Sequence, residues 1–193
     1  MQKFITLFIL LISFSSLKAQ TDEQIINEIR WDLFDPCQEW PPDTIYINEI
    51  KANTFFYDRE DHSYESIGGF AIPSHIISEW KKNMEDQNLQ PKWNEKHLNI
   101  KDTMIVGKDT IIVKKTFLKC LSKSEIDTEP YNTKQDRIYA IGKIVFDNSR
   151  ETAIFSFAFS RLSDSDVAGG YTVLIKKVFG KWVIITKFDH WIS

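Results

Sequence analysis

Alternating hydrophobic and polar positions mark the last third of the chain as β-structure. Residues 151–161 alternate over their whole length, and a period of two is the period of a β-strand. One face holds Ala153, Phe155, Phe157 and Phe159, and the other holds Ser156, Ala158 and Ser160. Strands are also predicted at 138–146, 170–179 and 182–188, with a tight turn at Gly180-Lys181. Together these segments predict an antiparallel meander that ends almost at the C-terminus.

Helical spacing of apolar residues appears in two earlier segments. After Thr21, apolar residues recur on one face over 22–34, and Gln24 follows three residues later, as a capping box requires. A second apolar stripe runs through 74–87, with Ser74 as the expected N-cap residue. The two stripes consist of Ile25, Ile26, Ile29 and Leu33, and of Ile76, Ile77, Trp80 and Met84.

Shorter signals complete the predicted fold. A β-branched and aromatic run predicts a strand at 44–50, and two near-copies around Gly107 predict a hairpin over 101–113. The polar stretch 122–137 is expected to be a loop. No linker-like composition divides the chain, so we predict one α+β domain over 20–193, an antiparallel sheet packed with two helices. Its core is expected to include Ile25, Ile29, Ile77, Trp80, Ile141, Phe155, Phe157, Leu174, Trp182 and Ile184.

The first 19 residues are typical of a secretory signal peptide. Lys3 gives a positive start, residues 4–14 form a short apolar run, and Ala19 supplies a small residue at the end. The run is shorter than the roughly 20 apolar residues that a bilayer-spanning helix needs. The alternative is a buried N-terminal helix. We expect cleavage after Ala19, an exported protein that is periplasmic or secreted, and no membrane span in the mature form.

Charge and motifs exclude several classes of partner. Without residues 1–19 the chain carries 22 basic and 27 acidic side chains, a net charge of −5. Nucleic-acid backbones are bound by positive surfaces, so nucleic acid is not an expected partner. The chain has no P-loop, dinucleotide-binding or local zinc-ligand motif, and we expect no cofactor.

Cys37 and Cys120 are the only cysteines. In an oxidising compartment they could form a disulfide, and closing a loop of that length would stabilise the fold by roughly 4–5 kcal/mol in the chain-entropy model. The alternative is two unpaired, buried thiols that behave as small hydrophobic residues. The sequence leaves both possibilities open.

Two groups of residues are candidates for catalysis. Ser78 and Lys81 have the Ser-x-x-Lys spacing, which on a helix places an amine over a hydroxyl as a base. Asp58, Asp61 and His62 belong to an acidic loop, 58–65, whose oxygen and imidazole ligands could hold a hard cation. The simpler interpretations are an ordinary amphipathic helix surface and a solvated acidic loop.

Tryptophans are candidates for binding, because exposed aromatic rings often mark recognition surfaces and can stack on sugars. Trp80 and Trp182 fit apolar stripes and are expected in the core. Trp40 and Trp93 lie in polar or proline-bounded segments and are expected to be exposed.

The C-terminal region combines a glycine pair, a GKW hairpin and a terminal WIS, with the residues Phe146, Ala153, Gly169, Gly170, Gly180, Lys181, Trp182, Trp191, Ile192 and Ser193. In these residues it resembles the C-terminal region of uncharacterised exported proteins of Bacteroidota-type bacteria. The resemblance implies export but no activity. The GKW hairpin after a helix-then-sheet order is also similar to cystatin-like and nuclear-transport-factor-2-like cone folds, which implies shape alone.

These observations leave two hypotheses for function. The first is a non-enzymatic binding or interaction module of the bacterial cell envelope, with an unidentified envelope or extracellular partner. The alternative is a small hydrolase or metal-dependent enzyme that uses the 58–65 loop, with Ser78 and Lys81.

Overall fold

The structure is a computed structural model of the 193-residue chain. It describes residues 20–34, 44–54, 72–85, 91–99, 103–106, 109–112, 117–128, 137–161 and 168–192. These residues form helices and a mixed, mostly antiparallel sheet that ends in a C-terminal meander, so the predicted α+β class is confirmed. The predicted signal peptide, residues 1–19, lies outside the described residues.

The first helix, α1 (Asp22–Leu33), begins where the sequence predicts. The Thr21 hydroxyl accepts a hydrogen bond from the Gln24 backbone N–H (3.3 Å), and the Gln24 side chain accepts one from the Thr21 N–H (2.9 Å). This capping box satisfies two backbone donors that the first turn of a helix leaves unpaired. Its apolar stripe is almost fully buried against the sheet.

The second helix, α2 (Ser74–Glu85), begins one residue earlier than predicted. Ser74 is the first helical residue, and the Pro73 carbonyl accepts hydrogen bonds from the N–H groups of Ile76 (3.0 Å) and Ile77 (3.4 Å). The prediction of Ser74 as the N-cap residue is therefore wrong. Two short helices were not predicted. They are α3 (Glu95–Leu98) and α4 (Lys123–Thr128), and α4 lies in the stretch expected to be a loop.

Nine strands lie in the described residues. They are β1 (Thr44–Asn48), β2 (Thr103–Val106), β3 (Asp109–Ile112), β4 (Phe117–Leu121), β5 (Arg137–Ile141), β6 (Val145–Phe146), β7 (Thr152–Arg161), β8 (Ala168–Val178) and β9 (Lys181–Ile192). The main sheet has the order β4-β1-β5-β7-β8-β9, with β6 paired to β7. Strands β2 and β3 form the predicted antiparallel hairpin as a separate two-stranded sheet.

The main sheet is mixed, whereas the sequence predicts an antiparallel sheet. Strand β1 pairs in parallel with both β4 and β5, whereas β5, β7, β8 and β9 form the predicted antiparallel meander. The predicted strand 138–146 is also broken after Ile141. A Cβ on Gly142 would lie only 2.5 Å from the Thr54 hydroxyl oxygen, because residues 52–54 pass close to the chain at this point.

Helices cover both faces of the sheet. On the first face α1 packs on residues such as Phe155, Val173 and Trp182. On the second face α2 places Trp80 against Ile154 and Leu174. The predicted core residues are buried, except that Ile77 and Ile184 are half-buried. Among the described residues, no helix is long and apolar enough to cross a membrane.

Candidate functional site

Helix α2 packs on only part of the second sheet face, and the remainder carries a row of small residues. In the register of three adjacent strands Ala140 lies opposite Ala158, and Ala158 lies opposite Gly170. Gly170 is in turn paired with Trp191 on β9. The surface formed by Ala140, Ala158, Gly170 and Trp191 is here named the small-residue groove, because side chains this short leave a depression between their larger neighbours.

The Trp191 ring lies against the glycine of the groove. A Cβ on Gly170 would lie 2.9 Å from two atoms of the indole, Cε2 and Cζ2, and 2.7 Å from the carbonyl oxygen of Phe157. Any side chain at position 170 would therefore displace the ring. Trp191 nevertheless remains 42% exposed, so the indole forms a wall of the groove and not part of the core.

Two cavities, each of about 250 Å³, open on this surface and share Ala140, Ala158 and Trp191. Most of the lining is apolar, but each cavity also has polar residues in its wall. In one cavity they are Asn53, Ser156, Thr172 and Asp189, and in the other they are Asn48 and Ser160. An apolar surface with a few polar groups around it is the usual composition of a small-ligand site.

A β-bulge places the carboxylate of Asp189 beside the groove. The pairing of β8 with β9 shifts between Gly170 and Thr172, and Asp189 adopts a positive φ of 51° at this point of β9. Aspartate tolerates the left-handed region better than most residues with a side chain, and bulges often redirect side chains beside functional sites. The bulge brings Asp189 to the wall of the same cavity as Trp191.

The predicted Ser78 and Lys81 pair lies on α2 and not in the groove. The Ser78 hydroxyl donates to the carbonyl of Ser74 one turn earlier (3.0 Å), a common local bond for an exposed serine. Neither Ser78 nor Lys81 lines either of the two cavities. A catalytic role for this pair therefore stays a prediction.

The expectation that Trp93 is exposed is wrong. Trp93 is 5% exposed and belongs to the core on the α1 face of the sheet. The ammonium of Lys51 lies 4.3 Å from the centre of its ring, which is a cation–π contact. The prediction failed because Lys51 and the core residues that pack around Trp93 come from distant parts of the chain and leave no signal in its own proline-bounded segment.

Lys51 is the centre of a buried charged cluster that holds α1 in place. Its ammonium lies 3.0 Å from Glu23 Oε1 and 3.2 Å from Asp22 Oδ2. Burial alone would raise the pKa of Glu23, but backbone hydrogen bonding and the hydrogen bond and positive charge of Lys51 outweigh it and lower that pKa. Two turns after Glu23 on the same helix, Arg30 donates to Asn27 Oδ1 (2.8 Å) and to the backbone carbonyl of Leu98 in α3.

This cluster is best explained as structural. Its groups pair with one another and with backbone atoms, and they connect α1 to the segments around Lys51 and Trp93. Buried charges are stable only when paired in this way. None of its charged residues lines either of the two cavities.

Several predicted site residues fall outside the described part of the chain. They are Asp58, Asp61, His62, Trp40 and Cys37. Within the ranges that are described, no group of three or more His, Cys, Asp or Glu residues could hold a metal ion. The cation site at 58–65 and the binding role of Trp40 therefore stay predictions.

Cys120 is a half-buried cysteine on β4 with no disulfide partner among the described residues, and its pairing with Cys37 stays a prediction. Burial, followed by the nearby charges of Glu95, Glu49 and Glu23, raises the pKa of the Cys120 thiol to about 12. The thiol is therefore almost wholly protonated near neutral pH, and a protonated thiol is a poor nucleophile.

Comparisons with protein-family models, with curated proteins and with solved structures gave no match. The resemblance to exported Bacteroidota-type proteins and the likeness to cone folds therefore stay expectations. The groove was itself missed from sequence, although its signals were present. The alternation puts Ala158 on the less apolar face of its strand, Gly170 begins a predicted strand, and Trp191 contributes to the resemblance, but none of these patterns indicates that the three residues meet.

Proposed function

We propose that this chain is an exported, non-enzymatic binding module of the bacterial cell envelope, and that the small-residue groove is its ligand site. The observation that carries the proposal is the exposed Trp191 ring beside a row of small residues on a sheet face that α2 leaves open. Such a surface gives a ligand an aromatic face on one side and access to the backbone floor on another.

The chemistry of the groove favours a saccharide. A sugar ring has an apolar C–H face that stacks on an aromatic ring, and hydroxyl groups around its edge that need hydrogen-bond partners. Trp191 supplies the ring, and Asn48, Asn53 and Asp189, which line the cavities, supply amide and carboxylate groups. The groove therefore combines stacking with directional hydrogen bonds, the two kinds of interaction that a neutral sugar offers.

Binding is tested by isothermal titration calorimetry against a panel of cell-wall and extracellular oligosaccharides. We expect Trp191→Ala and the groove-filling variant Ala158→Phe each to weaken binding at least tenfold. Phe117→Ala is the matched control, because Phe117 is also 42% exposed but lies on the opposite edge strand of the sheet. A sugar that binds the Trp191 and Ala158 variants as tightly as the wild type would contradict the groove assignment.

Export is supported by the composition of residues 1–19. We expect the exported protein to begin at Gln20. Intact-mass measurement of protein recovered from the periplasm or the medium checks this, and a cell-associated species that keeps residues 1–19 would overturn it.

A further inference from the structure

The hairpin between β8 and β9 ends in an exposed apolar tip. Its two loop residues are Phe179 and Gly180, with φ angles of 50° and 80°, and Val178 pairs with Lys181 below them. Two positive φ angles in a two-residue loop are the pattern of a type I′ turn, which suits the twist of the strands. The Phe179 side chain is fully exposed, and Val178 is also exposed.

Phenylalanine is a poor choice for this position on grounds of folding alone. The first residue of such a turn is normally asparagine, aspartate or glycine, because bulky side chains are disfavoured at positive φ. The exposed ring gains nothing from burial in the fold, and the space beside Gly180 is open, with no atom within 4 Å of where its Cβ would be. A strained residue with no structural benefit is a reason to look for an external contact.

The surroundings of the tip are positively charged although the whole chain is acidic. Lys176, Lys177 and Lys181 flank the tip on the two strands, and Lys176 and Lys181 are exposed. The adjacent turn adds exposed Arg150, together with the carboxylate of Glu151, whose carbonyl accepts a hydrogen bond from the Lys177 N–H (2.8 Å). Glu28 lies on the α1 side and binds the Trp182 N–H (3.1 Å).

We propose that this tip docks the protein on an anionic lipid surface, with Phe179 in the interfacial region and the lysines against the headgroups. Aromatic rings favour the membrane interface, and lysines near an anionic surface are attracted to it. The Phe179 ring is fully exposed at the end of the hairpin, as insertion into the soft interfacial region of a bilayer requires. The inference does not depend on the proposed saccharide site, because Gly170 lies nine residues along β8 from Phe179, about 30 Å at the usual strand rise.

Docking through the tip would also fix the orientation of the groove relative to the bilayer, because the tip and the groove lie at opposite ends of the same hairpin. With the tip at the bilayer, the small-residue groove at the other end of β8 and β9 would face away from the lipid. A single tip gives weak binding, since each lysine contributes about fivefold to the affinity and the aromatic ring about tenfold. Docking of this kind is reversible and depends on ionic strength.

The proposal is tested by co-sedimentation of the protein with vesicles of phosphatidylglycerol and phosphatidylcholine, compared with vesicles of phosphatidylcholine alone. We expect binding to the anionic vesicles only, and weaker binding at high salt. Phe179→Asn is the decisive variant, because it gives the Asn-Gly sequence that type I′ turns prefer. It should lose about tenfold in vesicle affinity while its melting temperature stays equal to or above that of the wild type.

Charge reversal at Lys176 and Lys181 should reduce vesicle affinity at least 25-fold. The matched controls are Phe117→Thr, an exposed aromatic residue on the far edge, and Lys82→Glu, an exposed lysine on α2. Both should bind vesicles like the wild type. Equal wild-type binding to both kinds of vesicle, an unchanged affinity of Phe179→Asn, or a lower melting temperature of that variant would overturn the proposal. So would failure to bind vesicles together with Phe179-dependent binding of polyglutamate, which would indicate an acidic protein partner instead.

Discussion

Replacing Lys51 with methionine tests whether the buried charged cluster holds α1 in place. Lys51 is 7% exposed and neutralises Glu23, whose side chain is 9% exposed, and Asp22. Methionine keeps the apolar stem against Trp93 but removes the charge, so that a buried carboxylate is left unpaired. Breaking a buried pair from one side costs about 3–5 kcal/mol. For a chain of this size that corresponds to a fall in melting temperature of roughly 6–20 °C.

The loss should depend on pH in a defined direction. In the wild type the pKa of Glu23 is lowered below its ordinary value of 4.5, so its stabilising effect is present at neutral pH and lost as the pH falls through that lowered pKa. In Lys51→Met, Glu23 is still buried but no longer has the neutralising charge of Lys51, so its pKa rises. Acid then protonates Glu23, and the cost of burying its unpaired charge disappears. The difference in free energy of unfolding should therefore be largest above pH 6 and shrink below the ordinary pKa.

Urea unfolding at a series of pH values measures this difference. Lys92→Met is the matched control, since Lys92 is 66% exposed in its pair with Glu49 and such surface pairs contribute about 0–1 kcal/mol. In a double-mutant cycle, adding Glu23→Gln to Lys51→Met should raise the free energy of unfolding by about 1–3 kcal/mol, because it removes the unpaired buried charge. A loss from Lys51→Met no larger than that from Lys92→Met, or one independent of pH, would refute the structural assignment of the cluster.

Three further changes have defined outcomes. Gly170→Ala should cost about 1–3 kcal/mol by overpacking and should move Trp191, seen as a shifted indole N–H resonance, because the new Cβ would lie 2.9 Å from the ring; an unmoved resonance would contradict the contact. Phe155→Ala should cost about 3–5 kcal/mol in urea unfolding, since Phe155 is fully buried, and a loss below 1 kcal/mol would show a looser core. In Cys37→Ser, a pKa of about 12 makes the thiolate fraction of Cys120 roughly a thousandfold smaller than at its ordinary pKa of 9.0. Because a thiolate of higher pKa is also more nucleophilic, alkylation of the native protein should be only about 30-fold slower than alkylation after unfolding. Equal rates in folded and unfolded protein would refute its burial, and two thiols titrated in denatured, unreduced wild type would remove the predicted Cys37–Cys120 disulfide.

Local patterns in the sequence predicted the fold where short-range physics decides it. The capping box at Thr21, the strand through Phe155 and the antiparallel pairing of β2 with β3 depend on residues close in sequence, and all three are present. The tight turn was predicted at Gly180-Lys181, but the structure has it one residue earlier, at Phe179-Gly180. The prediction failed because turn propensities disfavour phenylalanine at a positive φ.

Long-range pairing could not be predicted from the same patterns. The parallel pairing of β1 with β4 and β5 joins segments 70 or more residues apart, and no local signal encodes it. The burial of Trp93 could not be predicted for the same reason, because Lys51 and the core residues that contact it lie in other segments. The groove depends on the register of Ala140, Ala158 and Gly170 across three strands, so its residues looked unremarkable one strand at a time.

The most direct test of the binding proposal is chemical-shift mapping of ¹⁵N-labelled protein, residues 20–193, titrated with the best oligosaccharide from the calorimetric panel. The proposal predicts that the largest shifts fall on the amides of Ala140, Ala158 and Gly170 and on the indole N–H of Trp191. Saturable shifts centred on any other surface, or the absence of saturable shifts with every sugar of the panel, would contradict it.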